Sequence, residues 1–568
     1  MIVEEYFPRG ILRPELLMGI VNTVTANYVQ VDFTEAVAPS GSYFSGGRYG
    51  KGEVGEFVII EGQINLVLGK VIEVKIADEF KNGKDALGRI QLLGSISMES
   101  LRVTAGVESY PRLRDRVYAA PHKFVAMIPE LMEKAEDNPI KINLGSIDVA
   151  LESIVSIRPE KLFGRHLAIL GSTGGGKSWT TARIIEECLR FNSKMILFDA
   201  TGEYGDFKGN NITHTHLSVP VKIAEGSKRC TLPPTSFQES DFIALFEPSG
   251  KVQGPKLRDA IKSLRIVKIF PDSFRLGYIE KIDQNKDTYR KCLNTPGILE
   301  KIDDPTQEFD VKYLVNQIVQ ECVFPNGGTQ SNPDPNRWGG ASNEFTYCLS
   351  LVTRINAILT SSAMDCVFQK GESLITLIDT FIGDEKQNLF RIDLSGISFE
   401  YKAREIIANV IGRYLLTQAR KRRFNENPLI VFLDEAHNFL GKHIGGEDTV
   451  AKLDAFELIA KEGRKFGLNI CLATQRPRDV TEGVLSQIGS MIVHRLTNDR
   501  DRDVVERACG EIDKAASAFL PNLKPGEAAV IGNDFPIPLT IQVQEPTTQP
   551  NSAGPNYQES WKSKGVPK

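Results

Sequence analysis

Apolar positions in the first hundred residues recur in short β-branched runs rather than at helical spacing. The runs GIVNTVTANYVQVDF (19–33), EFVIIEGQINLVLGKVIEVKIA (56–77) and GRIQLLGSISM (88–98) lie between glycine and polar breaks. That is the composition and punctuation of strands. Several strands with no long helical pattern between them predict a small barrel. The glycine-rich stretch 39–55 reads as a mobile loop, and FVAMIPELMEKAED (124–137) as a short helix.

From about Ile140 the pattern changes to strands alternating with helices, which predicts a parallel sheet covered on both faces. HLAILG (166–171), KMILFDA (194–200), LIVFLDEAH (429–437) and LNICLAT (468–474) read as buried strands, and WTTARIIEECLRF (179–191) as an amphipathic helix. Between about Leu217 and Glu385 the alternation stops. GPKLRDAIKSLRIVKIF, VKYLVNQIVQECVF and NEFTYCLSLVTRINAILTSSAMDCVF have helical spacing, and 325–342 reads as a loop. The expected organisation is a β domain at 1–140, an α/β core at 141–216 and 386–530, and a helical insertion at 217–385. A C-terminal strand and a Pro/Gly/Ser/Asn tail complete it at 531–568.

Length and composition narrow this only a little. A chain of 568 residues exceeds one ordinary core, and 41% hydrophobic with 25% charged residues suits a globular protein rather than a disordered one. The eight cysteines are scattered with no CxxC pair, which argues against zinc and disulfide frameworks and suits a reducing cytoplasm. No apolar run has transmembrane length, and MIVEEYFPRG lacks the regions of a signal peptide, so a cytoplasmic protein without a membrane is expected. A net charge of −4 leaves nucleic acid open as a partner, because a ring can line its pore with lysines and remain acidic outside.

The chemistry concentrates at strand ends. Gly171-Ser172-Thr173-Gly174-Gly175-Gly176-Lys177-Ser178 matches GxxxxGK[ST] between a buried strand and a helix, with Trp179 next in line. Glycines let backbone N–H groups wrap phosphate at a helix N-terminus; Lys177 would reach the β- and γ-phosphates of ATP, and Ser178 would hold Mg²⁺. LIVFLDEAH ends in Asp434, a second acid for the magnesium, and Glu435, which would activate the attacking water. Asp199 and Glu203 follow the strand 194–200 as further candidates for magnesium or water, against a solvated turn as the alternative. Gln475, after LNICLAT, stands where a γ-phosphate sensor is needed. Arg464, in the turn before that strand, and Arg165, before the P-loop strand, are candidate arginine fingers for a neighbouring subunit's nucleotide. For DNA contact the loop with Lys442 and His443 is a candidate. The run Arg420-Lys421-Arg422-Arg423 reads more readily as a solvated helix end.

Taken in order, RHLAILGSTGGGKS, FDATGEY, RIDLSGIS, FLDEAHNFL, EGRKFGLNICLATQRPRDV and VLSQIGSMIVHRLTNDRD resemble the HerA family of the FtsK/HerA hexameric P-loop ATPases. The β-rich start resembles that family's HAS-barrel. The resemblance implies a RecA-like P-loop NTPase core with an N-terminal β-barrel and a helical insertion. It assigns Lys177 and Ser178 to ATP and Mg²⁺, Asp434 to the second acid, Glu435 to catalysis and Gln475 to sensing. It makes Arg165 and Arg464 intersubunit arginines, with Arg495 a further candidate, and Asp199 an active-site acid. It also implies a homohexamer with double-stranded DNA in its pore and a nuclease or other effector docked on the barrel ring. Two functions fit this: a DNA translocase or helicase, and an ATPase scaffold of an antiphage defence complex regulating a nuclease or a sirtuin-like NAD hydrolase. A secretion ATPase fits less well without membrane segments.

Overall fold

A computed structural model describes residues 11–33, 42–44, 47–76, 86–134, 136–147, 153–329, 331–440, 443–444, 451–508, 519–552 and 556–562. The chain forms two units, both discontinuous in sequence. The first takes residues 1–191, 471–478 and 485–550; the second takes 192–470, 479–484 and 551–568.

In the first unit six antiparallel strands close into a barrel. Their order is Tyr28–Phe33, Leu17–Val24, Arg116–Ala119, Phe57–Ile60, Asn65–Ile76 and Ala86–Ser97, and the last pairs back with the first. The sequence YVQVDF shows why: Val29, Val31 and Phe33 are fully buried while the residues between them are half-buried. Each such burial contributes roughly 2 kcal/mol. A slip of one residue would turn all three outward, so the alternation sets the register. Gly88 admits the Phe33 ring, since a Cβ there would sit 1.9 Å from Phe33 Cε2. The helix expected at 124–137 spans His122–Leu131. Within the stretch read as a loop, Ser42–Phe44 and Gly47–Tyr49 pair as a short hairpin.

The same unit holds a mixed sheet around the P-loop strand Leu167–Leu170. That strand is parallel on one side to residues 471–474 and on the other to Ser490–Val493. All of LAIL is buried, as a parallel strand covered on both faces requires. Beyond Ser490–Val493 the sheet continues antiparallel through Glu527–Gly532, Phe535–Val543, Ile142–Ser146 and Ile154–Ile157. The C-terminal strand Phe535–Val543 thus lies between Glu527–Gly532 and Ile142–Ser146 in this sheet.

The second unit is built on six parallel strands in the order Leu429–Leu433, Lys194–Asp199, Leu389–Asp393, Ile212–Leu217, Lys228–Thr231 and Glu372–Ser373. Helices dominate 217–385, among them Gly250–Ile269, Leu314–Glu321, Glu344–Thr360 and Leu374–Gly383. The stretch is not purely helical, however, because the last two strands of the sheet come from inside it. Asp241, fully buried at the start of the helix Glu239–Phe246, accepts from Arg413 and Asn409 on the helix Ala403–Arg420 and so ties the stretch to the sheet's covering helix. No helix among the described residues is long and apolar enough to cross a membrane.

Candidate functional site

The phosphate loop of the first unit is shaped by its glycines and by one histidine beneath it. Gly174 and Gly176 take φ of +75° and +113°, a region that L side chains rarely enter. A Cβ at Gly171 would lie 2.6 Å from His494 Cβ, and one at Gly176 would lie 3.1 Å from His494 Cε1. Ser172 donates through N (3.0 Å) and Oγ (2.9 Å) to the carbonyl of Arg495, pinning the loop to the end of the neighbouring strand. Lys177 opens the helix Lys177–Leu189, is buried, and points Nζ back at the Ser172 carbonyl 3.3 Å away. The loop is therefore a preformed cradle, with a cation and a helix N-terminus directed at the space a phosphate chain would fill.

His494, absent from the sequence reading, is completely buried. Its Nδ1 lies 2.9 Å from the Glu527 carbonyl and its Nε2 lies 2.8 Å from Thr180 Oγ1. A carbonyl can only accept, so Nδ1 carries the proton and Nε2 accepts from the threonine: a neutral imidazole with both nitrogens engaged. Burial is the main force pushing its pKa down to about 4, helped by the charge of Lys177. The sequence signal was a histidine at the end of an otherwise apolar run, SMIVH.

Gln475 lies at the loop, where Thr173 Oγ1 donates to Gln475 Oε1. Trp179 and Ser178 are half-buried in the first turn of the helix. Arg165 has a half-exposed side chain with its Nε 3.7 Å from Asp534 Oδ1. Arg495 is exposed beyond its pinned carbonyl.

The acids lie in the second unit, where the strand Lys194–Asp199 pairs with both Leu429–Leu433 and Leu389–Asp393. Asp434 follows Leu433, is almost fully buried, and accepts from Thr201 Oγ1 at 3.1 Å and Tyr204 OH at 3.5 Å. Burial, then the charges of Asp199, Glu203 and Glu435, hold its carboxyl well above the ordinary carboxylate range. Glu435 sits at φ +47° and ψ +49°, a strained conformation for a non-glycine residue. Its Oε2 is buried and accepts no hydrogen bond, with His437 Nδ1 3.3 Å away. Asp434 and the unsatisfied oxygen of Glu435 are acceptors of the kind a divalent cation takes, although among the described residues no three His, Cys, Asp or Glu side chains are grouped to hold one.

Asp199 departs from the part expected of it. Its Oδ1 accepts the backbone N–H of Gly202 and Glu203, and its Oδ2 accepts that of Tyr204 together with Arg391 Nε at 2.7 Å. Arg391, itself buried, also holds Asp393 at 2.8 Å. The lone pairs of Asp199 are thus committed to shaping the turn that carries Thr201, Glu203 and Tyr204. RIDLSGIS supplies this arginine, although its sequence alone reads as an ordinary core strand.

Arg464 is exposed in the turn Gly463–Phe466, and its guanidinium pairs with no carboxylate among the described residues. In the basic run, Arg420 pairs with Glu462 and Arg423 with Asp379, which suits a helix end held by surface ion pairs. Lys442 and the side chain of His443 lie outside the described residues.

Residues 142–319 match the family described as helicase HerA, central domain. The DNA double-strand break repair helicase HerA of Sulfurisphaera tokodaii is 22% identical over 524 residues, 89% of this chain and 92% of that protein. The helicase of the same name from Saccharolobus solfataricus is 25% identical over 393 residues, 67% of this chain and 64% of that protein. Among solved structures, the plasmid coupling protein TrwB in complex with ADP and Mg²⁺ covers 74% of this chain and 93% of its own, at 13% identity and a TM-score of 0.43.

Proposed function

We propose that this chain, a P-loop ATPase similar to the HerA helicases, is a motor translocating on double-stranded DNA. The observation that carries the reading is the extent of the likeness to repair helicases. It covers 89% of the chain, far more than the phosphate loop and its sheet.

In this reading Lys177 and the loop amides hold the β- and γ-phosphates of ATP. Ser178 and Asp434 would hold Mg²⁺, whose charge would offset that of the phosphates. Glu435 accepts the proton of the attacking water; its strained backbone and unsatisfied oxygen fix that carboxylate in place without quenching it. Gln475, tied to Thr173, reads whether the γ-phosphate is present and relays this along its strand. Asp199 acts as a positioning residue through the turn 202–204. Arg165 and Arg464 serve the nucleotide of a neighbouring copy in a homohexamer, with DNA in the pore and a nuclease docked on the barrel ring.

The test is ATP turnover of the purified chain with and without linear duplex DNA. The expected result is stimulation by the duplex, loss of turnover in Lys177→Ala, and a fall of about 10²-fold or more in Glu435→Gln with nucleotide binding retained. Turnover indifferent to duplex would sink the motor and leave the scaffold of a defence effector as the better account.

A further inference from the structure

The helical part of the second unit holds a pocket that the ATPase reading leaves unused. A cavity of about 200 Å³ is lined by the rings of Phe274, Tyr278, Tyr289 and Trp338, with Arg275 and Gln284 among its polar lining. Such a volume takes one ring system rather than a larger molecule.

The rings are held by a dedicated support. Tyr289 and Trp338 meet edge to face, with centroids 5.3 Å apart. Behind them the buried Lys281 ammonium lies 5.1 Å from one centroid and 5.5 Å from the other, and pairs with the buried Glu321 at 2.6 Å. Ser263 and Gln317 donate to the other oxygen of Glu321, so the pair is fully satisfied. A buried ion pair of this kind roughly breaks even against an apolar core, and stability alone does not explain it. It does explain why two large rings stay fixed at a surface pocket.

The chemistry of the lining selects among flat ligands. The lysine, its charge matched by Glu321, already engages the faces of Tyr289 and Trp338, and the lining itself carries Arg275 and Glu280. The pocket is therefore a poor cage for an organic cation, despite its aromatic walls. Its hydrogen-bonding capacity is nonetheless open. The Gln284 amide, the Thr288 hydroxyl and the indole N–H of Trp338 make no hydrogen bond among the described residues. An amide with both donor and acceptor beside aromatic faces suits the edge and face of a nucleobase, and a free arginine suits the phosphate attached to it.

We propose that this pocket binds an unpaired base of a nucleic-acid strand, stacked on its aromatic lining and read by Gln284 and Thr288. The site is separate from the ATP chemistry and stands whether or not the motor reading holds.

Photocrosslinking of the full chain to single-stranded oligo-dT carrying 5-iodouracil tests it, with adducts mapped by mass spectrometry. Adducts on Tyr278, Tyr289 or Trp338 are expected. Phe274→Ala combined with Gln284→Ala should weaken oligo-dT binding about tenfold, while Lys177→Ala should leave that binding intact. Competition by free thymidine monophosphate would assign recognition to a single nucleotide; failure to compete would assign it to a base within a strand. Adducts confined to other regions, or equal affinity in the double variant with its fold confirmed by circular dichroism, would overturn the proposal and leave a peptide as the better occupant.

Discussion

His494 fills the volume that Gly171 and Gly176 leave open, so the phosphate loop rests on a side chain that must stay neutral. Its pKa falls from 6.5 unfolded to about 4 folded. Between those values the unfolded chain binds the proton and the folded chain does not, so stability is present above pH 6.5 and is lost as pH falls. The loss should reach about 2 kcal/mol by pH 5. Urea unfolding at pH 7.5 and pH 5 measures it, and His494→Gln should flatten the difference. Asp434 and Glu435 stand out in the sequence because charged residues at the end of an apolar run are conspicuous, and Lys177 because it falls in a GxxxxGK[ST] motif. His494, just past the strand Ser490–Val493, and Arg391, inside Leu389–Asp393, do not, because a lone polar residue beside apolar neighbours has no pattern, and its partners lie far away along the chain. The opposite error befell Asp199, whose position at a strand end suggested chemistry while its oxygens are taken by the turn and by Arg391.

Strands and helices with strong apolar runs emerge where periodicity places them, from the barrel hairpin Leu17–Phe33 to the helix Lys177–Leu189. Lys228–Thr231 was lost in the helical stretch because KRCT is too short and polar to alternate; its strand state comes from pairing with Ile212–Leu217. The small barrel was legible from its strand runs, but not which strands close it, since pairing between Tyr28–Phe33 and Ala86–Gln91 depends on register rather than composition. The tie between Leu389–Asp393 and the turn after Lys194–Asp199 runs through one buried cation. Replacing it in Arg391→Met leaves Asp199 and Asp393 buried without a counter-charge, and should destabilise the protein by about 3–5 kcal/mol. A midpoint of urea unfolding within error of wild type would show that the turn holds itself.

At the scale of the whole molecule the charge is −4, so any grip on DNA must be local and phosphate-directed. Affinity for duplex should fall steeply between 50 and 200 mM salt, by about 10³-fold or more if six phosphates are contacted. The exposed, unpaired Arg464 belongs to this scale too. Alone, Arg464→Ala and Glu435→Ala should each be nearly inactive. Mixed, they should regain part of the turnover, because some contacts would pair an intact arginine with an intact glutamate. No recovery on mixing would place the arginine within its own subunit. The discontinuity of the first unit bears on how the protein is made. Leu167 pairs with Cys471 and with Ser490, both about three hundred residues further along. A ribosome adding 5–20 residues per second needs roughly 15–60 s to supply those partners. Throughout that interval a fully apolar strand waits without neighbours on either edge, so nascent chains stalled before residue 471 should be strong clients of chaperones and quick to aggregate without them.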